Sequence, residues 1–225
     1  MTLAPQEIAS YIDHTNLKVE ATEQDIIKLC EEANKYHFKT VCVRPDKVKL
    51  AVNCLKDKTP KVISVVGFPT GKESTNDKAK ETKQMIKDGA EEVDMVINYE
   101  KLKAKEYAYV YEDIKAVVDE AKKTPVKVII ETCFLDEKEK IIACALSKAA
   151  GASFVKTSTG FGTKGATVAD VKLMREVVGP NMGVKASGGI KSYEDAKKMI
   201  DAGATRLGTS SSIAIVEKNF SSSDY

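Results

Sequence analysis

The chain has 225 residues, 35 of them basic and 33 acidic, for a net charge of +2. That balance gives no ground for binding a polyanion such as a nucleic acid. With 43% apolar and 30% charged residues, the composition is that of a soluble protein able to bury one sizeable core.

Two histidines, His14 and His37, are too few for a histidine-rich metal site. Five cysteines with no Cys-x-x-Cys pair read as reduced thiols of a cytoplasmic protein. The first ten residues lack the basic start and apolar run of a secretory signal. No apolar stretch approaches the ~20 residues that span a bilayer, so no membrane partner is expected.

In chain order, short apolar runs alternate with amphipathic stretches. Tyr11–Leu17 comes first, followed by a helical stripe of Ile26, Leu29, Cys30 and Ala33 that opens at Thr22 with Asp25. The runs Thr40–Val43, Val62–Phe68 and Val93–Asn98 follow, then a long stripe from Tyr107 to Ala121. Val126–Thr132 and Phe154–Ser158 precede a helix opened by Thr167 with Asp170. Gly183–Ser187 precedes one opened by Ser192 with Asp195, and Arg206–Thr209 is the last run. Gly89, Gly151, Gly179 and Gly203 stand where helices stop.

Continuous β-branched runs are how strands covered on both faces of a parallel sheet read. Eight such runs, with no Gly-x-Gly-x-x-Gly after the first, predict a closed α/β TIM barrel, (β/α)8, rather than an open doubly wound sheet. Residues 1–216 form the barrel as one domain, and 217–225 are expected as a flexible tail. Gly71-Lys72-Glu73-Ser74 resembles the end of a phosphate-binding loop. However, Val66 replaces its first glycine and Glu73 its hydroxyl, so no nucleotide site is read there.

A shorter repeat lies within the units. Gly89-Ala90, Gly151-Ala152 and Gly203-Ala204 are each followed, five residues after the glycine, by a distinctive residue: Asp94, Lys156 and Gly208. These fall on strands four, six and eight. Alternate strands fill a barrel in common layers, so Asp94 and Lys156 are predicted to point inward at one level. The same offset from His37 reaches Cys42 on strand two, read as a packing residue.

Lys156 has two readings: a strand-end lysine that snorkels to water, or a buried amine. Lys185 on the next strand favours the second. Burial and a like charge together push one ammonium toward the neutral form that Schiff-base chemistry requires. Asp94 either neutralises a lysine or relays protons, and the two roles are compatible. Glu131 is a weaker acidic candidate. Thr159-Gly160, Gly188-Gly189 and Gly208-Thr209-Ser210-Ser211 end strands six to eight, where this fold builds phosphate sites.

These residues closely resemble the deoxyribose-phosphate aldolases. The resemblance runs through Asp13-His14-Thr15, Val41-Cys42-Val43, Gly67-Phe68-Pro69, Glu92-Val93-Asp94-Met95-Val96, Phe154-Val155-Lys156-Thr157-Ser158-Thr159-Gly160, Val184-Lys185-Ala186-Ser187-Gly188-Gly189 and Gly208-Thr209-Ser210-Ser211. It covers about residues 8–213 and implies an aldolase that needs neither metal nor cofactor. The implied reaction is cleavage of 2-deoxy-D-ribose 5-phosphate to D-glyceraldehyde 3-phosphate and acetaldehyde, in deoxyribose phosphate catabolism.

The resemblance casts Lys156 as the nucleophile, Lys185 as the lysine that keeps its pKa low and takes part in proton transfer, and Asp94 as the acid–base carboxylate. It casts Asp13, Cys42, Thr159, Gly160, Gly188, Gly189, Gly208, Ser210 and Ser211 as substrate-binding. Phe161 departs from members that carry a lysine there, so either Lys164 substitutes for that contact or the contact is absent. Asn16 and Val19 also depart from the family's opening motif. Many barrels dimerise, so a homodimer is an expectation, although no interface patch is visible. Tyr225 in the tail is either a frayed end or a phenol carried over the barrel mouth. The rival readings are another Schiff-base aldolase and an inactive phosphosugar-binding barrel.

Overall fold

Alternation of buried strand and amphipathic helix closes the chain on itself. The structure, a computed structural model, describes residues 3–218. Its strands are β1 (Ile12–Asn16), β2 (Thr40–Val43), β3 (Lys61–Val66), β4 (Glu92–Val96), β5 (Val126–Ile129), β6 (Phe154–Lys156), β7 (Gly183–Ser187) and β8 (Arg206–Thr209). All pair in parallel in sequence order, and β8 returns to β1, so no sheet edge is left open. The TIM barrel read from the sequence is therefore the fold. The tail from residue 219 onward, including Tyr225, lies outside the described residues.

The principal helices of the outer layer are α2 (Glu23–Lys35), α3 (Val48–Cys54), α4 (Thr75–Lys87), α6 (Tyr107–Ala121), α7 (Glu137–Ala149), α8 (Val168–Val178) and α9 (Tyr193–Asp201). Short helices α1 (Pro5–Ala9), α5 (Tyr99–Lys103) and α10 (Ser212–Val216) complete the set. The helix starts follow their caps. Thr22 accepts from the backbone N–H of Asp25, whose carboxylate in turn accepts from the Thr22 N–H, and Thr167 and Ser192 accept from the backbone N–H groups of Asp170 and Asp195.

Strand pleating sorts the side chains into two populations. Val41, Val43, Val62, Val93, Met95, Val126, Val128, Val155, Val184 and Leu207 face the helices and form the main core. A second, small apolar cluster of Leu17, Cys42, Ile63 and Val65, with Phe68 against it, comes from the other face of β1–β3. On β1 and β4–β8 the interior holds Asp13, Glu92, Asp94, Lys127, Lys156, Lys185 and Arg206, paired with one another, which gives it one apolar side and one ionic side.

Candidate active site

The inward residue of each even strand holds the position that the repeat predicts. Asp94 on β4 is fully buried and receives three ammonium groups. Lys127 reaches its Oδ1 at 2.9 Å, while Lys156 at 2.9 Å and Lys185 at 2.7 Å share its Oδ2. The two lysines singled out in the sequence are thus neighbours on one oxygen. Their strands bring Lys156 directly opposite Lys185 in the ladder.

Their charges are set apart by environment. Burial pulls the Lys156 amine below the ordinary lysine range. Asp94 opposes that shift, and Lys185 adds to it. Burial acts on Lys185 as well but is outweighed by Asp13 and Asp94, which hold its proton more tightly than usual. The closest contact is Lys185 to Asp13 Oδ2 at 2.5 Å. Burial would raise the Asp94 carboxyl, but Lys127, Lys156 and Lys185 keep it well below the usual range. Asp13 likewise resists its own burial. Lys185, Arg206 and Lys127 hold it at about 2.

Cys42 is buried within the field of Lys185, Asp94 and Lys156. Burial drives its thiol up to about 11, so it packs as a neutral group. Gly208 has a steric reason to be glycine. A Cβ there would sit 2.9 Å from Lys185 Cε and 3.0 Å from Ser187 Cβ. The bare backbone of β8 is what lets Lys185 extend toward Asp94.

The loops above the barrel are tied to one another. Glu131, after β5, accepts from the Thr159 backbone N–H at 3.2 Å and from its hydroxyl at 2.5 Å. Thr159 Oγ1 in turn accepts from the Phe161 N–H at 3.0 Å. Burial raises the Glu131 carboxyl, and the bonds from Thr159 offset part of that rise. Gly160, Gly188 and Gly189 all have positive φ, and a Cβ on Gly189 would meet open space. Phe161 lies edge-on to Phe68, with ring centroids 5.4 Å apart, and Lys164 is exposed on the same loop. Ser211 stands at the N-cap position of the short α10 helix, and its N–H donates to Thr209 Oγ1 at 2.9 Å. Ser210 lines a cavity of about 260 Å³ with His14, Thr15, Leu17 and Glu32 beside β1.

Several participants escape sequence reading. Lys127, Glu92 and Arg206 extend the ionic interior below Asp94 and Asp13. For Lys127, a charge inside the apolar run Val126–Thr132 was the available clue, the same one that marked Lys156, whereas Glu92 and Arg206 stand at strand starts. His14 bridges Ser212 at 2.8 Å and Glu32 at 2.9 Å, linking β1 to α10 and α2.

The DeoC/LacD family aldolase model matches residues 8–215. Among curated proteins, the deoxyribose-phosphate aldolase of Thermococcus kodakarensis is 60% identical over 216 residues, covering 94% of this chain and 96% of that one. That of Clostridium perfringens strain SM101 is 59% identical over 221 residues, covering 98% of this chain and 99% of its own. Among solved structures, the tetrameric deoxyribose phosphate aldolase from Aeropyrum pernix superposes with a TM-score of 0.89 at 36% identity. It covers 95% of this chain and 91% of that one.

Proposed function

This chain belongs to the DeoC/LacD aldolase family, and from that premise we propose a metal-independent Schiff-base cleavage of 2-deoxy-D-ribose 5-phosphate. The products are D-glyceraldehyde 3-phosphate and acetaldehyde, and the reaction is reversible. The observation that carries the proposal is Lys156: a buried amine with a lowered pKa, held by a carboxylate that two other ammonium groups already share.

Neutral Lys156 Nζ attacks the substrate carbonyl and, with loss of water, forms a protonated imine. In the cleavage direction the imine accepts the electron pair of the breaking C–C bond, leaving an enamine and the free aldehyde. Protonation of the enamine and attack by water release acetaldehyde and restore the amine. Lys185, held protonated, supplies protons at the departing oxygen, and Asp94 accepts and returns them. The three interior carboxylates, Asp13, Glu92 and Asp94, each carry at least two cationic partners, which supports a reaction that does not recruit a metal to them.

Thr159, Gly160, Gly188, Gly189, Ser210 and Ser211 form the substrate and phosphate rim. The open backbone at Gly189 supports close approach of an anion. Five free cysteines support a reducing, cytoplasmic setting, where the enzyme would act in deoxyribose phosphate catabolism. No helix among the described residues is long and apolar enough to cross a membrane. Self-association, expected as a homodimer, draws support only as some oligomer from the Aeropyrum pernix tetramer.

The test is reduction with borohydride in the presence of acetaldehyde, followed by peptide mass spectrometry. An ethyl group is expected on Lys156. A stable adduct on Lys185 instead would reverse the assignment. Lys156→Leu is expected to abolish both the adduct and turnover.

A further inference from the structure

The ionic interior is a closed circuit. From Asp94, Lys185 leads to Asp13, Asp13 to Arg206, Arg206 to Glu92, Glu92 to Lys127, and Lys127 back to Asp94. The last links are 2.8 Å (Arg206–Asp13), 3.0 Å (Arg206–Glu92) and 2.5 Å (Lys127–Glu92). Signs alternate around it, three carboxylates with three cations. Thr40 Oγ1 adds a bond to Asp13 at 2.7 Å. The Phe154 ring lies beside Lys127 and Arg206, 5.7 and 5.3 Å from its centroid.

Lys156 hangs off this ring. Its ion pair is with Asp94, on the oxygen that Lys185 also uses. Two other titratable groups face it. Cys42 is a neutral thiol, and both Glu131 oxygens are engaged by Thr159. The ring is balanced without Lys156, so a charge on that amine is the one surplus cation of the circuit. In a buried site, the group whose proton is surplus to the balance loses it first.

We propose that Glu92 and Arg206, which lie on the ring away from the Schiff-base lysine, are positioning residues that fix which lysine is neutral. They touch neither Lys156 nor, on the assignment above, the substrate, and they act through Asp13, Lys127 and Asp94. This inference rests on the proposed Schiff-base reading. It makes a signed prediction that a structural role does not.

Arg206→Met removes a ring cation. Lys156 then completes the balance, keeps its proton to higher pH, and needs more alkaline conditions to react. Glu92→Gln removes a ring anion. Lys156 becomes more strongly surplus and stays neutral to lower pH. The expected displacement in each direction is about one pH unit, from the loss of one unit charge screened by a protein interior.

The experiment is acetaldehyde trapping on Lys156 with cyanoborohydride across pH, comparing each variant with the unmodified chain at every pH and quantifying by peptide mass spectrometry. Opposite displacements of the acid limb support the proposal, with Arg206→Lys returning toward the parent profile. Overlapping profiles, or displacements of the same sign, overturn it. Should Arg206→Met not fold, Glu92→Gln with Arg206→Lys decides alone: an acid displacement in the first and near-parent behaviour in the second are required. Absence of trapping on Lys156 in the unmodified chain would instead remove the Schiff-base reading itself, so the two failures are distinct.

Discussion

Lys185 reaches Asp94 and Asp13 across a gap that only glycine leaves open. A methyl group on Gly208 would meet the Lys185 stem at 2.9 Å and Ser187 Cβ at 3.0 Å, so one of them must move. The Ser187 side is held, because its hydroxyl donates to the Ser158 carbonyl at 2.6 Å and its N–H to Thr157 Oγ1 at 3.0 Å. The lysine stem is therefore the part that yields, and its ammonium leaves the oxygen it shares with Lys156. Gly208→Ala is expected to fold, with a modest overpacking cost of about 1–3 kcal/mol. With the role proposed for Lys185, it is expected to lower kcat by about a hundredfold, the scale of losing one well-placed proton donor. Steady-state kinetics beside a circular dichroism melt would check this. Unchanged kcat would mean that Lys185 finds another path to Asp94.

At the scale of elements, α4 and α6 are pinned by a buried pair outside the barrel. Lys78 Nζ donates to Asp113 Oδ2 at 2.6 Å and to the Val96 carbonyl at 2.9 Å, and Thr75 Oγ1 donates to Asp113 Oδ1 at 3.1 Å. Both charged residues are fully buried. Lys78→Met strands the carboxylate and is expected to cost about 3–5 kcal/mol in urea unfolding, whereas Lys78→Met with Asp113→Leu recovers much of that loss. A double variant no better than the single would show that the pair is not what Lys78 contributes. In the sequence, Lys78 stands in a lysine-rich stretch with Lys80, Lys83 and Lys87, and nothing local reveals that α6 brings an aspartate to it. Strand limits were more legible. Thr40–Val43, Gly183–Ser187 and Arg206–Thr209 have the predicted bounds, since turn residues and caps bracket them. Val62–Phe68 and Val126–Thr132 end earlier, at Val66 and Ile129, because apolar character continues into loops that pack over the barrel. The cluster of the candidate site was legible where one strand supplied the signal, as with Lys156, Lys185 and Asp94, which meet on one carboxylate. Glu92, Lys127 and Arg206 sit at or near strand starts, where a charge ordinarily reaches water. Only barrel closure turns them inward to one another.

For the whole molecule, packing this many charges inside one barrel ties stability to acid. Asp13 has an ordinary carboxyl value of 3.8 when exposed and about 2 in the fold. A carboxylate with a depressed folded pKa contributes stability that is complete above its unfolded value and is lost as pH falls through the folded one. The Asp13 contribution, about 2 kcal/mol by the shift, therefore stands above pH 3.8 and disappears on approach to pH 2. Asp94 is depressed in the same sense and steepens the decline. Glu131 has the opposite sign. Its raised carboxyl binds a proton more readily folded than unfolded, so its protonation is stabilising and comes first on acidification. The thermal midpoint is thus expected to hold or rise slightly on acidification from neutral pH toward 4.5 and to fall steeply below 3.8. Asp13→Asn is expected to be less stable at neutral pH, since Lys185 and Arg206 lose a shared anion, yet to show a shallower fall between pH 3.8 and 2. Melts across this range, scanned in the same buffers, provide the check. An unaltered acid slope in Asp13→Asn would place the acid sensitivity on groups other than Asp13, Asp94 first among them.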